Sequence, residues 1–405
     1  MTWDDKFSLD AGSINASEIR ELLKILADPA ILSFAGGIPD PALFPMDKVR
    51  QFRERMVDHP NLDRQLMQYS QTEGYEPLRN WVATKTSCKN TTLTKENILI
   101  TNGAQQSLSL IASALIDAGT PIALADPTYL GALQVFGCRR PKYLTIETDN
   151  DGLIIDSVEE AFKQKPKFLY TIPDFQNPGG MTISLERRQK IIELAHQYDV
   201  IVLEDTAYRA LYYDNAPPAS LLEIEGDFLG KEQWDQRGLV VQLGTASKTL
   251  MPALRVGWSI APRALINKLI LLKQACDLHT STVNQILAFE LANEILESHI
   301  EKLRDVYGER CKAMIDSLTR YLPNTVNFTP VKGGMFVWLN LPQGMDARKL
   351  LEKSLAEEKI AFVPGAAFHA NGGGENTLRL SFSTCAPEVI DDGMKRLAGL
   401  IRREQ

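Results

Sequence analysis

Short apolar runs alternate with amphipathic stretches from about residue 95 onward. The stretches Gln105–Ile116 and Leu185–Tyr198 carry apolar residues at helical spacing. The apolar runs are Ile98–Thr101, Pro121–Ala125, Lys142–Ile146, Phe168–Thr171, Val200–Leu203, Leu239–Leu243 and Val256–Ile260. Continuous apolar strands that alternate with helices predict an α/β architecture of three layers, in which a mostly parallel sheet is covered on both faces.

The sequence beyond this region predicts a second, smaller unit. It is helix-rich from about Pro262 through Tyr321. The strands predicted next are Met335–Leu339, Ile360–Val363 and Thr377–Phe382, and the helices between and after them are Asp346–Glu358 and Pro387–Arg402. We interpret this part as a smaller α+β domain.

A helix near the N-terminus is expected to pack with that smaller domain. Apolar residues from Ile19 to Leu26 recur at helical spacing after the capping residue Ser17, and Pro29 ends the pattern. A Gly/Pro-rich passage, Phe34–Pro39, follows and predicts irregular backbone. We therefore divide the chain into a segment 1–45 that packs with the small domain, a large domain 46–290, and the small domain 291–405.

Composition and charge narrow the classes of function. The chain has 405 residues, 44% of them hydrophobic, which favours a large buried core over disorder. Its 44 basic and 51 acidic residues give a net charge of −7, which disfavours nucleic-acid binding. The five cysteines form no CxxC pair, the N-terminus MTWDDKFS lacks an apolar stretch, and no apolar run is long enough for a membrane helix. These features predict a cytoplasmic protein.

Polar residues follow several of the predicted strands. Asp205 is one of them and is a candidate for binding a ligand. It comes directly after Val200–Leu203, and Tyr208 lies one helical turn further on. One interpretation is that Asp205 caps the following helix. The other is that this carboxylate holds a positively charged heterocyclic nitrogen.

Lys248 lies in the segment LGTASKTLMPALRVGW, after the strand Leu239–Leu243. It is either a solvated loop lysine or a lysine that forms an imine beside a phosphate site. The hydroxyl residues Thr245 and Ser247, together with Arg255, suit a phosphate dianion.

Further polar positions allow both a structural and a functional interpretation. The turn before Ala104 and Gln105 can offer helix N–H groups to an anion. Asn177, within PDFQNPGG, either helps to form the turn or presents its side-chain amide in a fixed direction. Tyr129 is a core aromatic or a platform for a ring, and Arg379, inside an apolar strand, is a candidate for binding a carboxylate. No metal site is predicted, because the five histidines are scattered and no HExxH motif occurs.

The order of these motifs resembles that of a known family. Along the chain they run GAQQ, DPTY, PDFQNPGG, EDTAY, SKTLMPALRVG and LRLSF. From about Ser13 to Ala398 this series resembles the class I aminotransferases, which are pyridoxal-phosphate (PLP) enzymes with the aspartate aminotransferase fold, PLP fold type I. The opening SEIRELLKILADPAILSFAGGIPDPALFP and the SKTL block are most similar to the 2-aminoadipate/kynurenine-type subgroup.

The resemblance implies roles around the cofactor ring. Lys248 would hold the cofactor as an internal aldimine, and Asp205 would pair with the pyridine nitrogen. Tyr208 and Asn177 would share the ring hydroxyl, and Tyr129 would stack on the ring.

The resemblance also implies a phosphate site, a substrate site and a partner. The phosphate would be held by Ala104, Gln105, Thr245, Ser247 and Arg255. Tyr69 would reach the phosphate of a neighbouring subunit, which implies a homodimer with shared sites. Arg379, with Asn177, would bind the substrate α-carboxylate, and Arg20 and Gly37 would lie near the substrate side chain. Ala104 departs from the related pattern, which often has Ser here, so one hydroxyl contact to the phosphate is lost.

The resemblance implies PLP-dependent transamination between an L-amino acid and a 2-oxo acid, with ping-pong kinetics. The expected acceptor is 2-oxoglutarate, and the expected donors are 2-aminoadipate, aromatic or branched-chain amino acids. A PLP-dependent lyase or decarboxylase on the same fold is the first alternative. The second is a non-catalytic PLP-binding regulator, which the acidic chain and the lack of room for a DNA-binding module disfavour.

Overall fold

The computed structural model describes residues 3–12, 28–58, 64, 66–230 and 233–405. The strands are β1 Leu32–Ser33, β2 Ile98–Thr101, β3 Pro121–Ala125, β4 Lys142–Ile146, β5 Thr148–Asp149, β6 Gly152–Leu153, β7 Phe168–Thr171, β8 Ile201–Asp205, β9 Val240–Thr245, β10 Gly257–Ile260, β11 Asn327–Phe328, β12 Phe336–Asn340, β13 Ile360–Ala361, β14 Val363–Pro364 and β15 Thr377–Ser381.

The α-helices are α1 Leu9–Gly12, α2 Met46–Asp58, α3 Glu76–Thr86, α4 Ala104–Leu115, α5 Leu130–Gly137, α6 Ile155–Lys163, α7 Leu185–Tyr198, α8 Leu221–Leu229, α9 Trp234–Arg237, α10 Arg263–Cys276, α11 Thr282–Glu294, α12 Leu296–Tyr321, α13 Ala347–Lys353 and α14 Pro387–Glu404. Short 3₁₀ segments lie at Asp4–Lys6, Pro41–Leu43, Lys95–Asn97, Pro252–Leu254 and Gly365–Phe368, and Ser354–Glu358 forms a π-helical turn.

A seven-stranded sheet forms the centre of the larger part, in the order β2-β10-β9-β8-β7-β3-β4. Neighbouring strands from β9 through β4 pair in parallel. Strand β10 pairs antiparallel with both β2 and β9. The prediction of a mostly parallel α/β sheet is therefore confirmed, and all seven strands lie within two residues of the predicted apolar runs.

Successive residues of these strands face two different hydrophobic clusters. In β2, Leu99 belongs to one cluster, whereas Ile98 and Ile100 belong to the other. In β8, Leu203 belongs to the same cluster as Leu99, whereas Val202 belongs to the other. Because side chains alternate between the faces of a strand, the two clusters are the two covered faces of the sheet. The three-layer arrangement follows from this alternation.

The smaller part contains a four-stranded sheet of order β11-β12-β15-β14, in which every pair is antiparallel. Helices α12 and α14 pack against each other beside it. The predicted strand Ile360–Val363 is instead two strands. Strand β13 pairs with β1, and β14 pairs with β15. Sequence reasoning could not find this division, because an unbroken apolar run carries no mark of where its pairing partner changes.

The segment around Leu32 lies against the smaller part. Strand β1 runs parallel to β13, so Leu32 pairs with Ile360. The passage that follows is irregular, and Phe34 is fully buried. The predicted helix after Ser17 lies outside the described residues, and the division into three parts, 1–45, 46–290 and 291–405, stays a prediction. Within the described chain, no helix combines the length and the apolar character needed to span a bilayer.

Candidate active site

The carboxyl ends of the parallel strands meet at one edge of the large sheet. Strands β2, β3, β7, β8 and β9 each lead there into a loop or a helix start that carries predicted site residues. Ligands in open α/β sheets bind outside this edge. A cavity of about 270 Å³ lies there, lined by Ala104, Gln105, Leu108, Tyr129, Ile172, Asp205, Ala207, Tyr208, Thr245, Ser247, Lys248, Pro252 and Arg255.

Asp205 ends strand β8 and is almost fully buried, with 3% of its surface exposed. Its Oδ2 accepts a hydrogen bond from the Tyr170 hydroxyl at 3.0 Å, and its Oδ1 accepts one from the Ala207 N–H at 3.2 Å. Loss of hydration raises the pKa of this carboxyl to about 6, although the Tyr170 bond opposes the shift. A buried carboxylate in this state favours pairing with a cation placed in the cavity.

Lys248 lies in the turn after strand β9, on the cavity wall. Its Nζ donates to the Gly37 carbonyl at 3.0 Å and lies 5.6 Å from the centre of the Tyr208 ring. Burial, with the positive charges of Arg379 and Arg255, lowers the pKa of Lys248 to about 8, while Asp205 acts in the opposite direction. An appreciable fraction of this amine is therefore neutral and nucleophilic near physiological pH.

Three buried side chains link the cavity to the smaller part. The Asn177 Nδ2 donates to the Tyr208 hydroxyl at 3.4 Å, and the Arg379 Nη1 donates to the Asn177 Oδ1 at 2.7 Å. Burial raises the pKa of the Tyr208 hydroxyl, so that it remains protonated. The amide of Asn177 thus holds a phenol and a guanidinium in fixed positions.

Arg379 is held by aromatic rings and by a backbone carbonyl. The centre of its guanidinium lies 4.2 Å from the Phe336 ring centre and 5.1 Å from that of Phe368. Its Nη2 donates to the Ala35 carbonyl at 2.9 Å, whereas its buried Nε has no hydrogen-bond partner among the described residues. Desolvation lowers the pKa of Arg379 to about 10. This buried cation with an unused donor suits a bound carboxylate.

An anion-binding corner lies at the start of helix α4. Gly103 precedes the helix at φ +75°, and a Cβ there would lie 2.7 Å from the Arg255 Nη2. Across the cavity, the Thr245 hydroxyl donates to the Ser247 Oγ at 2.9 Å. Helix N–H groups, two hydroxyls and one guanidinium are the donors expected for a phosphate.

Besides Asn177 and Arg379, which reach the cavity through Tyr208, three predicted residues lie away from the cavity lining or outside the described chain. Gly37 reaches the site through its carbonyl, and a Cβ on it would overlap the Phe336 ring. Tyr69 lies on the surface, 79% exposed, with its ring edge-on to His279. Arg20 lies outside the described residues.

Some site residues escaped sequence reasoning. Tyr170 supports Asp205, but a tyrosine inside the apolar run Phe168–Thr171 is typical of a core position. Leu108, Ile172 and Phe336 are apolar and carry no chemical signal. The one available clue was the hydroxyl of Tyr170, because a buried hydroxyl needs a partner. Among the described residues, no cluster of three or more His, Cys, Asp or Glu side chains could hold a metal ion.

Comparison with known proteins identifies the family of the chain. Residues 40–397 match the family model for aminotransferase class I and II. The chain is 42% identical to the 2-aminoadipate transaminase of Thermus thermophilus, over 99% of this chain and 98% of that protein. It is 38% identical to aromatic-amino-acid aminotransferase 1 of Thermococcus litoralis, over 100% of this chain and 96% of that one.

A solved structure extends the agreement to the fold. The α-aminoadipate aminotransferase of Thermus thermophilus, complexed with N-(5'-phosphopyridoxyl)-L-leucine, superposes with a TM-score of 0.91 at 41% identity, covering 100% of this chain and 99% of that one. The predicted aspartate aminotransferase-like fold and the predicted cofactor are thereby confirmed. The chain belongs to the class I and II aminotransferases and is a pyridoxal-phosphate-dependent transaminase.

Proposed function

We propose that this enzyme moves the amino group from 2-aminoadipate, aromatic or branched-chain L-amino acids to 2-oxoglutarate. One observation carries the proposal: a single cavity joins a buried lysine, a buried carboxylate and, through Asn177, a buried guanidinium. The names of the two relatives, one for 2-aminoadipate and one for aromatic amino acids, support this range of donors.

The residues present fit the cofactor. The anion-binding corner at Ala104 and Arg255 suits its phosphate, and Asp205 suits the positive charge of its ring nitrogen. Tyr208 and Asn177 would hold the ring hydroxyl, and Tyr129 would cover a ring face. When bound, pyridoxal phosphate supplies an electron sink for the pair of electrons left at the substrate Cα.

Lys248 supplies the base. With its pKa lowered to about 8, its amine can accept the Cα proton and later return it, because neither protonation state dominates strongly. The Asp205 carboxylate limits this lowering of the lysine pKa, since its negative charge favours positive charge in the cavity.

Arg379 supplies the carboxylate site. Its guanidinium is already oriented by Asn177 and by the Ala35 carbonyl, so little side-chain entropy is lost when an α-carboxylate binds. The rings of Phe336 and Phe368 that flank it are almost fully buried and keep water away from the guanidinium. Leu108 and Ile172 give the cavity an apolar lining, which suits the methylene, aromatic or branched side chains of the proposed donors.

A homodimer in the cytoplasm is part of the same proposal. Tyr69 and Met67 are 79% and 68% exposed, and Leu278, next to His279, is 42% exposed. Large exposed apolar side chains support the proposal of a contact surface here, because contiguous apolar patches are typical of protein–protein contacts. Arg255 is exposed as well, so a partner side chain can reach the anion-binding corner. All five cysteines are free thiols, as a reducing compartment favours.

The test follows the visible absorption of the purified, PLP-loaded protein while single L-amino acids are added. We expect the band to bleach with L-2-aminoadipate, L-phenylalanine or L-leucine and to return when 2-oxoglutarate is added. The Lys248→Ala variant should show neither change. Bleaching that 2-oxoglutarate does not reverse, or a product other than a 2-oxo acid, would contradict the proposal and favour a lyase or decarboxylase.

A further inference from the structure

A cluster of four polar side chains packs against the turn that begins helix α4. The buried Lys273 of helix α10 donates from its Nζ to both carboxylate oxygens of Asp277, at 2.9 and 3.0 Å. It also donates to the Gln106 Oε1 at 2.8 Å. Asn102 is the fourth member, and none of the four is among the residues that line the cavity.

The same cluster holds the backbone of the turn. The Asn102 Nδ2 donates to the Asp277 Oδ2 at 2.5 Å, and the Gln106 Nε2 donates to that oxygen at 2.6 Å. The Asn102 N–H donates to the Gln106 Oε1 at 2.8 Å. Asn102 therefore has its side chain and its backbone nitrogen fixed by the cluster.

Asn102 also contacts the anion-binding corner. Its carbonyl accepts a hydrogen bond from the Arg255 Nη2 at 3.1 Å. Gly103 and Ala104, which follow directly, carry the helix-start N–H groups. A displacement of Asn102 would move both the guanidinium and the turn, so the cluster controls the geometry of the anion donors.

Charge gives the cluster a second effect on the corner. The side chain of Lys273 is fully buried, whereas that of Asp277 is 23% exposed. An unpaired carboxylate beneath a phosphate would repel it, because charges that lie in a poorly hydrated region interact strongly. Lys273 cancels that charge, while the Asp277 carboxylate still accepts the hydrogen bonds that Asn102 and Gln106 donate.

We propose that Lys273 and Asp277 are positioning residues for phosphate binding, which fix the turn at Asn102 and keep the region beneath the phosphate electrically neutral. The inference rests on the proposed function, in which this corner holds the cofactor phosphate. It assigns a task to two residues that are not among those lining the cavity.

The test compares the equilibrium binding of pyridoxal phosphate and of pyridoxal to the cofactor-free protein, by absorbance titration. Pyridoxal lacks the phosphate, so the ratio of the two affinities reports on the corner alone. We expect Lys273→Met to weaken pyridoxal phosphate binding on the order of tenfold, as supporting contacts of ligating groups commonly do. Binding of pyridoxal should change far less.

A charge-neutral double variant separates the electrostatic effect from a structural one. Lys273→Met combined with Asp277→Asn removes both charges. This double variant should therefore recover most of the preference for pyridoxal phosphate over pyridoxal that Lys273→Met loses. Asp277→Asn alone leaves the Lys273 cation near the phosphate. It should therefore strengthen pyridoxal phosphate binding relative to pyridoxal binding. This single variant keeps the proposal testable if Lys273→Met does not fold.

Lys312→Met is the matched control, because Lys312 and Asp316 form an exposed pair at the same spacing. It should leave both affinities unchanged. Equal weakening of both compounds by Lys273→Met, or a double variant no better than the single one, would overturn the inference. A wild-type protein that binds neither compound would instead contradict the proposed function, which is a separate result.

Discussion

At the scale of single residues, the reactivity of the site depends on charges placed in a region that water hardly reaches. Burial lowers the pKa of Lys248, and two arginines lower it further. Asp205, whose own pKa is raised by burial, partly opposes this. The pKa of Lys248 is thereby held near physiological pH, where one amine can serve both as nucleophile and as proton carrier.

The first prediction concerns the pH dependence of cofactor capture. A neutral Lys248 amine is required, so the rate at which the cofactor-free protein binds pyridoxal phosphate should rise as the pH increases through the lysine pKa of about 8. In Arg379→Met, a positive charge that lowers the pKa of Lys248 is lost, so the midpoint should move to higher pH. Stopped-flow absorbance across this range measures both midpoints. An unmoved midpoint would show that Arg379 does not act on the lysine.

The second prediction concerns the missing hydroxyl at position 104. Ala104 lines the cavity at the start of helix α4. Ala104→Ser adds a hydroxyl that can donate to the phosphate, which should tighten pyridoxal phosphate binding by about two- to tenfold. Absorbance titration of the cofactor-free protein measures the change. Ala104→Val, which adds bulk but no donor, should not tighten binding, and tightening by both variants would contradict the explanation.

The site residues that sequence reasoning could find share one property. Each is a polar residue that closely follows an apolar strand, as Asp205, Asn177 and Lys248 show. The order of their motifs along the chain also resembles that of a known family. Tyr170 and Lys273 could not be found this way. Their partners, Asp205 and Gln106, are 35 and 167 positions away. Only the folded chain brings such pairs together.

At the scale of elements, the strands were predictable and their directions were not. The run that became β10 resembles its neighbours in length and character, and an apolar pattern is the same in both directions. Its antiparallel course brings Gly257 opposite Thr101 of β2 and Thr245 of β9. This places a glycine directly beneath the anion-binding corner.

The third prediction follows from that close approach. A Cβ on Gly257 would lie 2.7 Å from the Ala104 nitrogen and 2.7 Å from the Gly103 carbonyl carbon. Gly257→Ala should therefore lower the free energy of unfolding by about 1–3 kcal/mol and weaken pyridoxal phosphate binding. Chemical denaturation and cofactor titration measure the two effects.

Gly308 of helix α12 provides the control for this prediction. A Cβ there would meet the Tyr213 side chain at an ordinary 3.5 Å. Gly308→Ala should therefore leave cofactor affinity unchanged, and the higher helix propensity of alanine should preserve or raise stability. Similar losses in both variants would show that the close contact at Gly257 is not the cause.

At the scale of the whole molecule, the exposed position of Tyr69 bears on whether a second subunit contributes to the site. Tyr69 is among the most exposed large side chains of the described chain and contacts His279. His279 lies two positions from Asp277, which contacts the turn at the anion-binding corner. The proposed partner subunit would thus meet this chain next to the residues that we propose hold the cofactor phosphate.

The fourth prediction tests whether sites are shared between subunits. Lys248→Ala retains Tyr69, and Tyr69→Leu retains Lys248, so each homodimer should be impaired. After subunit exchange, a hybrid dimer would contain one site with both residues intact, and activity should increase above that of either variant. Activity assays before and after mixing measure this. If Tyr69 serves its own subunit, mixing will give no recovery.

The pairing of β1 with β13 has a consequence for how the protein is made. Leu32 leaves the ribosome long before Ile360, its partner in the sheet. At ~5–20 residues per second, synthesis of the intervening chain takes some tens of seconds. Arg379, which holds the Ala35 carbonyl, arrives later still. The central sheet can assemble during this delay, whereas the proposed carboxylate site at Arg379 can form only when synthesis is nearly complete.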